Sequence, residues 1–290
     1  MAEFLQFLFS GITVGAIYAL VGLGFSIIYN ASHVINFAQG EFVMLGGMGT
    51  VSLMLAGLPM YVAIPLAVCL VVAVGLLLEK FAVEPARNAG VITLIIITIG
   101  ASILIRGVVE VVLGKDYHRL PPFTGETPII IGGAVLQPQG LWVIGALVVV
   151  VAVLRWFFEH TRLGKAILAT SYNPLAAQLV GIDVRTILLV SFGLSAALGA
   201  LAGILTAPIT LTKYDVGIML GLKGFAAAIL GGLGSSYGAV AGGLALGIIE
   251  AMSAGYISSA YKDAVAFVII LGVLFFMPSG LFGTKRTERV

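Results

Sequence analysis

The residues of this chain that could do chemistry are a few ionisable side chains set inside long apolar runs. Glu41 follows Asn36 and Gln39, so one carboxyl group stands in a polar cluster. Lys223 lies in a glycine-rich apolar run further along the chain. A charge at membrane depth is costly, so it predicts either an ion pair or a transport path. We expect these four residues to line a substrate pathway, with an ion pair between Glu41 and Lys223 across the bundle as the alternative.

Arg106 and Glu110 form a second candidate group, in the apolar run from residue 91 to 113. Residues four apart share one face of a helix, so the two side chains are close enough to pair. Membranes tolerate charges chiefly when they are paired. The spacing therefore favours an intramembrane ion pair over a substrate site.

Motifs for nucleotide or metal binding are missing. Gly164-Lys165 is followed by Ala166, so there is no G-x-x-x-x-G-K-[ST] loop for ATP. Cys69 is the single cysteine and the three histidines are far apart, which argues against a disulfide framework and a Cys/His metal site. The net charge of +2 is too small to suggest nucleic acid. We expect no enzymatic activity, metal or cofactor in this chain.

The elements that position these side chains are predicted to be membrane helices. Of 290 residues, 60% are hydrophobic and 10% are charged, whereas soluble domains carry roughly 25% charged residues. We predict one all-α, polytopic membrane domain over residues 1–290, with about eight or nine segments near the 20-residue length that a bilayer requires. The predicted segments are 4–29, 34–56, 61–78, 91–113, 140–158, 186–211, 216–230, 237–252 and 264–282.

The C-terminal third is rich in glycine. Small residues four apart, as in Gly243 and Gly247, allow membrane helices to pack closely. Irregular backbone at membrane depth is tolerated only inside protein or along a cavity, and broken helices form many transporter sites. We predict a broken or re-entrant helix over residues 216–230, and the pattern leaves open whether eight or nine segments cross.

Lysine and arginine predict the orientation, because they accumulate on the cytoplasmic side of membrane proteins. Loop 114–139 holds only Lys115 and Arg119, which predicts that it is extracytoplasmic, as is the N-terminus. The polar loop 159–185 and the C-terminal tail are predicted to be cytoplasmic. The first segment has no basic region before it, so we expect a membrane span rather than a cleaved signal peptide. The basic residues on the predicted cytoplasmic side are Lys80, Arg87, Arg155, Arg162, Lys165, Arg185, Lys285, Arg286 and Arg289.

Loop 159–185 contains a short predicted helix with its own end signals. Asn173 is a good N-cap, Pro174 suits the first helical position, and Gly181 is a plausible C-cap. Leu175, Leu179 and Ile182 then form one apolar stripe. Such a helix could dock into a partner at the membrane surface; the alternative is a plain connecting loop with one helical turn.

Several motifs resemble the branched-chain amino acid ABC transporter permeases. The run INFAQGE is similar to the INFA-x-GE signature of one subunit type of that family. The runs GLKGFAAAILGGLGSSYGAVAGGLALGIIE and FFMPSGLFG resemble its C-terminal signatures, and TRLGKAILATSYNPLAAQLVGID resembles its coupling segment. The likeness covers nearly the whole chain.

The resemblance implies a permease subunit of an ATP-driven importer in the bacterial inner membrane. The implied partners are a second permease subunit, identical or homologous, two cytoplasmic ATPase subunits that bind ATP, and an extracytoplasmic substrate-binding protein. Branched-chain amino acids are the implied substrates, with urea and short amides among those of the relatives. The implied ATPase-coupling residues are Gly164, Asn173, Pro174, Leu175, Ala176, Leu179 and Gly181.

Two other classes of function remain open on the residues alone. A secondary transporter driven by an ion gradient would use Glu41, Arg106 or Glu110 for ion coupling and would need no partner subunit. An integral membrane enzyme would need a polar catalytic cluster.

Overall fold

The computed structural model describes residues 2–87, 89–125 and 127–283, and these are almost entirely helical. Six of the described helices are long and apolar enough to span a membrane, and the predicted class of all-α, polytopic membrane bundle is confirmed. The helices are α1 (Ala2–Ser32), α2 (Gln39–Leu55), α3 (Met60–Leu78), α4 (Val91–Leu113), α5 (Pro138–His160), α6 (Arg162–Tyr172), α7 (Pro174–Leu179), α8 (Val184–Thr210), α9 (Val216–Gly231), α10 (Ser236–Tyr256) and α11 (Lys262–Phe276). Strands β1 (Ile129–Ile131) and β2 (Ala134–Leu136) form an antiparallel hairpin.

Contacts between connecting segments define one end of the bundle, here called the hairpin end. The Gln6 side chain donates to the Val135 carbonyl at 3.0 Å, which places the start of α1 against β2. His118 and Thr212 form an antiparallel bridge, so the segment after α4 meets the segment after α8. The start of α1, the hairpin and the α8–α9 connection therefore lie at the same end.

The opposite end, here called the α7 end, holds the last turn of α1. Asn30 Nδ2 donates to the Gly234 carbonyl, between α9 and α10, at 2.8 Å. Because α9 begins just after the Thr212 bridge and ends at Gly231, it runs continuously from the hairpin end to the α7 end. Helix α9 is therefore continuous, not broken as predicted, and it belongs to the nine described helices, α1 to α5 and α8 to α11, that run between the two ends. Six helices are long enough to be candidate spans, and α9 is a shorter apolar helix.

Irregular backbone inside the bundle occurs between α1 and α2, at residues 33–38. His33 has a φ of 55°, and Asn36 and Ala38 are buried. Asn36 Oδ1 accepts a hydrogen bond from Ala38 N at 3.0 Å, which closes a local turn. The predicted segment 34–56 is helical only from Gln39 because the asparagine side chain competes with helical backbone bonding.

Helix α1 is the core of the bundle and packs against α8, α9 and α10. Its contact with α10 brings two backbones together, since a Cβ added to Gly247 would lie 2.3 Å from Gly15 Cα. A Cβ added to Gly243 would lie 2.6 Å from Ala19 Cα. The close helix packing predicted from these spacings is confirmed, and any larger side chain here would push α1 and α10 apart.

Candidate functional site

A cavity of about 290 Å³ lies between α1, α2, α4 and α9, and we call it the Glu41 cavity. Glu41 on α2 lines it together with Ser102 and Arg106 on α4. Ser102 Oγ donates to Glu41 Oε1 at 2.8 Å. The other carboxylate oxygen, Glu41 Oε2, is buried and has no hydrogen-bond partner. One charge-bearing atom is therefore held in place by the protein but left unsatisfied beside the cavity.

The opposite wall of the Glu41 cavity is aromatic. Phe225 of α9 packs against Phe25 of α1 with ring centroids 5.5 Å apart and against Phe37 with centroids 5.7 Å apart. Beside these rings α2 and α9 touch through backbone, because a Cβ added to Gly40 would lie 2.2 Å from Gly217 O. The cavity thus has a polar wall from α2 and α4 and an apolar wall from α1 and α9.

Three of the four residues expected on the pathway, Asn36, Gln39 and Lys223, do not line this cavity. Gln39 is fully buried, and its Nε2 donates to the Ser195 carbonyl at 3.1 Å. The Ser195 hydroxyl lies 2.9 Å from the Gly24 carbonyl and donates to it. Gln39 therefore joins the start of α2 to α8, and through Ser195 to α1. Asn36 forms the turn before α2, with Nδ2 left unpartnered.

The expected ion pair between Arg106 and Glu110 does not form among the described residues. Glu110 Oε1 lies 2.7 Å from Lys115 Nζ instead. Helix α4 ends at Leu113, and Gly114 has a φ of 83°, so the chain turns back and brings Lys115 over the last helical turn. Arg106 instead lines the Glu41 cavity, a position that the sequence spacing did not predict.

Lys223 does not pair with Glu41, so the alternative of an ion pair across the bundle is wrong. Its Nζ lies 2.8 Å from Glu250 Oε1 and 2.7 Å from Asp263 Oδ1. The Tyr18 hydroxyl donates to Glu250 Oε2 at 2.8 Å. Residues Tyr18, Lys223, Glu250, Asp263 and Lys262 form what we call the Lys223 network, with Lys262 Nζ 3.3 Å from Glu250. It joins α1, α9, α10 and α11.

Glu79 is a buried carboxylate that sequence reasoning assigned to a loop. It is fully buried, and neither carboxylate oxygen has a hydrogen-bond partner. It begins a π-helical turn, Glu79–Val83, that continues α3 toward the α7 end. The uninterrupted helical pattern through Leu78 could have indicated this extension.

The short helix in loop 159–185 has the predicted ends. The Asn173 side chain accepts from Ala176 N at 3.0 Å, and Pro174 occupies the first helical position. Gly181 has a φ of 87°, the left-handed conformation that a glycine C-cap provides. Gly164 packs where α5 turns into α6, since a Cβ there would lie 2.2 Å from Phe157 O. The capped helix α7 predicted from sequence is confirmed.

The apolar stripe of α7 is divided between two environments. Leu175 is 73% exposed and Leu179 is 88% exposed. Ile182 instead packs with the buried residues Ile167 and Ile187, because the positive φ of Gly181 ends the helical periodicity before it. The expected stripe is therefore wrong at Ile182. The exposed residues Tyr172, Leu175, Leu179 and Val180 form what we call the α7 patch.

Asp183 joins the α7 region to the first turn of α8. Thr186 Oγ1 donates to its carboxylate at 2.7 Å, and Arg185 N donates at 3.1 Å. The hydrogen bond from Thr186, followed by that from Arg185, holds the pKa of Asp183 below its ordinary value. A charged N-cap therefore anchors the span that follows the α7 patch.

Residues 234–238 have the G-x-S-x-G spacing of hydrolase nucleophile elbows, with Ser236 at the nucleophile position. In hydrolases that turn joins a strand to a helix, whereas here it joins α9 to α10. Ser236, at the nucleophile position, is the first residue of α10, and the preceding Ser235 is the N-cap, with Oγ accepting from Gly238 N at 3.0 Å. Among the described residues there is no group of three or more metal-ligating side chains.

Comparison with known proteins identifies the family. The model of the family described as branched-chain amino acid transport system / permease component matches residues 7–274. The high-affinity branched-chain amino acid transport system permease protein LivH of Escherichia coli K12 is 34% identical over 99% of this chain and 98% of its own. The corresponding protein BraD of Pseudomonas aeruginosa is 31% identical, with the same coverage.

A solved structure shows the same fold at low sequence identity. The complex of PsaBC from Streptococcus pneumoniae with Fab contains a chain that superposes with a TM-score of 0.53 at 13% identity, covering 98% of this chain and 94% of that one. The family match extends over most of the residues that form the bundle, including the Glu41 cavity and the α7 patch. The chain therefore belongs to the family of permease components of branched-chain amino acid transport systems.

Proposed function

We propose that this chain is the membrane-spanning subunit of an ATP-driven importer of branched-chain amino acids in a bacterial inner membrane. The relatives named for branched-chain amino acid transport support the substrate class. The chain acts as one transmembrane domain over residues 1–290, without enzymatic activity of its own. It pairs with a second permease subunit, receives substrate from an extracytoplasmic binding protein, and is driven by two cytoplasmic ATPase subunits.

The observation that carries this proposal is the α7 patch. Leu175 and Leu179 are held outward on a capped helix beside charged groups such as Arg162 and Lys165. Exposed apolar side chains clustered within a polar surround are typical of a protein interface. The patch seats in a groove of an ATPase subunit, and its movement reaches α5 through Gly164 and α8 through Asp183.

The orientation follows from the same proposal. The α7 end is cytoplasmic and the hairpin end, with the N-terminus and loop 114–139, is extracytoplasmic. A cysteine introduced by Ser171→Cys on a Cys69→Ser background is expected to resist an impermeant thiol reagent in intact cells and to react in inverted vesicles. Labelling in intact cells would reverse the orientation.

The function is tested by purification followed by reconstitution. The tagged chain, extracted from its own host in mild detergent, is expected to carry an ATPase and a second permease subunit that mass spectrometry identifies. In proteoliposomes the complex with its binding protein should take up labelled leucine only with ATP. Uptake by the chain alone, driven by an ion gradient, would instead establish a secondary transporter.

A further inference from the structure

We propose that the Glu41 cavity is a binding site for the zwitterionic backbone of a free α-amino acid, with Glu41 receiving the ammonium group and Arg106 the carboxylate. This inference rests on the proposed function, because it assigns the substrate's charged groups to residues within the permease.

The first observation is the unsatisfied carboxylate oxygen. Glu41 is 2% exposed, and its Oε1 is fixed by Ser102, while Oε2 has no partner. A buried polar atom without a hydrogen bond is destabilising, and such atoms are few in folded proteins. An ammonium group with three donors is the ligand chemistry that would satisfy it.

The second observation is a cation on the same cavity wall that has no ion pair among the described residues. Arg106 lines the Glu41 cavity, while Glu110, one turn further along the helix, forms an ion pair with Lys115. A guanidinium group matches a carboxylate in a bidentate geometry. A ligand that carries both charges on one carbon would engage Glu41 and Arg106 together, and a ligand with one charge would leave the other residue unsatisfied.

The third observation is the shape and polarity of the remaining walls. Phe25, Phe37 and Phe225 supply an apolar surface for an aliphatic side chain. At about 290 Å³ the cavity is small, at the lower edge of the range of roughly 300–1,000 Å³ for ligand pockets. The cavity opens on the exterior of the bundle between Ile103 and Ile218, which are exposed.

The test is protection from thiol labelling in the intact complex. Ile103 lines the cavity and is 59% exposed, so Ile103→Cys on a Cys69→Ser background provides a reporter on this chain. The labelling rate is measured against concentration of leucine, of leucinamide, which lacks the carboxylate, and of 4-methylpentanoate, which lacks the ammonium group. We expect leucine to protect at concentrations roughly tenfold or more below those of either analogue, since each charged hydrogen bond lost is worth about that factor.

Charge variants then assign each group. Arg106→Gln should abolish the advantage of leucine over leucinamide, and Glu41→Gln should abolish its advantage over 4-methylpentanoate. Glu110→Gln is the matched control: it lies one turn from Arg106 on α4, is paired with Lys115, and should change neither ratio.

The parent complex alone can overturn the proposal, so it does not depend on the folding of any charge variant. Absence of protection by leucine in a complex that imports leucine with ATP would reject the cavity as the site. Equal protection by leucine and leucinamide would make it a plain cation site and would also reject it. Protection without any ATP-driven uptake would count against the proposed import function and leave the cavity assignment standing.

Discussion

Two groups of charged side chains lie within the helical bundle. The protein supplies partners for the charges of one group and leaves charges of the other without partners. In the Lys223 network, Lys223 contacts Glu250 and Asp263, and Tyr18 satisfies the second oxygen of Glu250. In the Glu41 cavity, by contrast, one oxygen of Glu41 has no partner, and no ion pair engages Arg106 among the described residues. In both groups, burying a charged side chain costs desolvation free energy.

The difference separates a structural role from a binding role. A buried charge that the protein satisfies itself stabilises the packing of the helices it joins, and its removal leaves its partners unsatisfied. A buried charge without a partner in the protein is available to a ligand. Its removal relieves the desolvation cost of that charge in the ligand-free protein. The same residue types therefore lead to opposite expectations for stability and transport.

The largest effect on stability is expected from Lys223→Met. The substitution leaves Glu250 and Asp263 without their shared cation, and breaking a buried ion pair from one side costs roughly 3–5 kcal/mol. Thermal unfolding of the purified permease should shift to much lower temperature. Lys262→Met is the matched control, because that side chain is 43% exposed and 3.3 Å from Glu250, and it should have a small effect. Equal shifts in unfolding temperature for the two variants would contradict a structural role for Lys223.

In the α7 region, apolar side chains show the same contrast between groups packed within the protein and groups exposed to a partner. The next largest effect, on ATPase association, is expected there. Leu179→Ala truncates an exposed side chain of the α7 patch. Truncation of an interface hot spot costs roughly 2 kcal/mol or more of binding free energy. At about 1.4 kcal/mol per tenfold, ATPase association should weaken by one to two orders of magnitude. Retention of the ATPase on the tagged permease measures this.

Ile182→Ala provides the control for that measurement. Ile182 packs against its own bundle, so its truncation should lower the unfolding temperature of the isolated permease, which Leu179→Ala should leave unchanged. Unchanged ATPase retention in the Leu179 variant would remove the α7 patch from the coupling surface.

The smallest effect is expected from Glu79→Gln. Glu79 is buried and unpartnered like Glu41, but it begins the π turn after α3 and does not line the Glu41 cavity. Neutralising it should leave leucine uptake close to that of the parent complex and leave the unfolding temperature equal or slightly raised. Loss of uptake would show that a buried carboxylate without a partner matters for transport even outside the Glu41 cavity. That result would contradict a specific role for the cavity.

Local signals in the sequence predicted the parts of the structure that depend on neighbouring residues. Asn173, Pro174 and Gly181 indicated the ends of α7 because caps act within one turn of the helix they close. The apolar segments followed from composition. The turn at 33–38 was missed because a single asparagine decided it, without a glycine or proline to indicate a break.

Partners of the buried charges could not be predicted because tertiary packing selects among several possible pairs. Spacing favoured Arg106 with Glu110, yet the turn at Gly114 brought Lys115 to Glu110. Lys223 meets Glu250 through the packing of α9 on α10, which no local pattern records. The aromatic wall of the Glu41 cavity likewise combines residues from distant segments.

The most direct test of the account measures ATP-driven leucine uptake and thermal unfolding on the same reconstituted complex carrying Glu41→Gln. The substitution keeps the shape of the side chain and the hydrogen bond from Ser102 while removing the charge. We expect uptake to fall roughly tenfold or more, at the magnitude of one lost charged hydrogen bond, while the unfolding temperature stays equal or rises. Normal uptake together with a lowered unfolding temperature would contradict it, because Glu41 would then be a structural residue like Lys223.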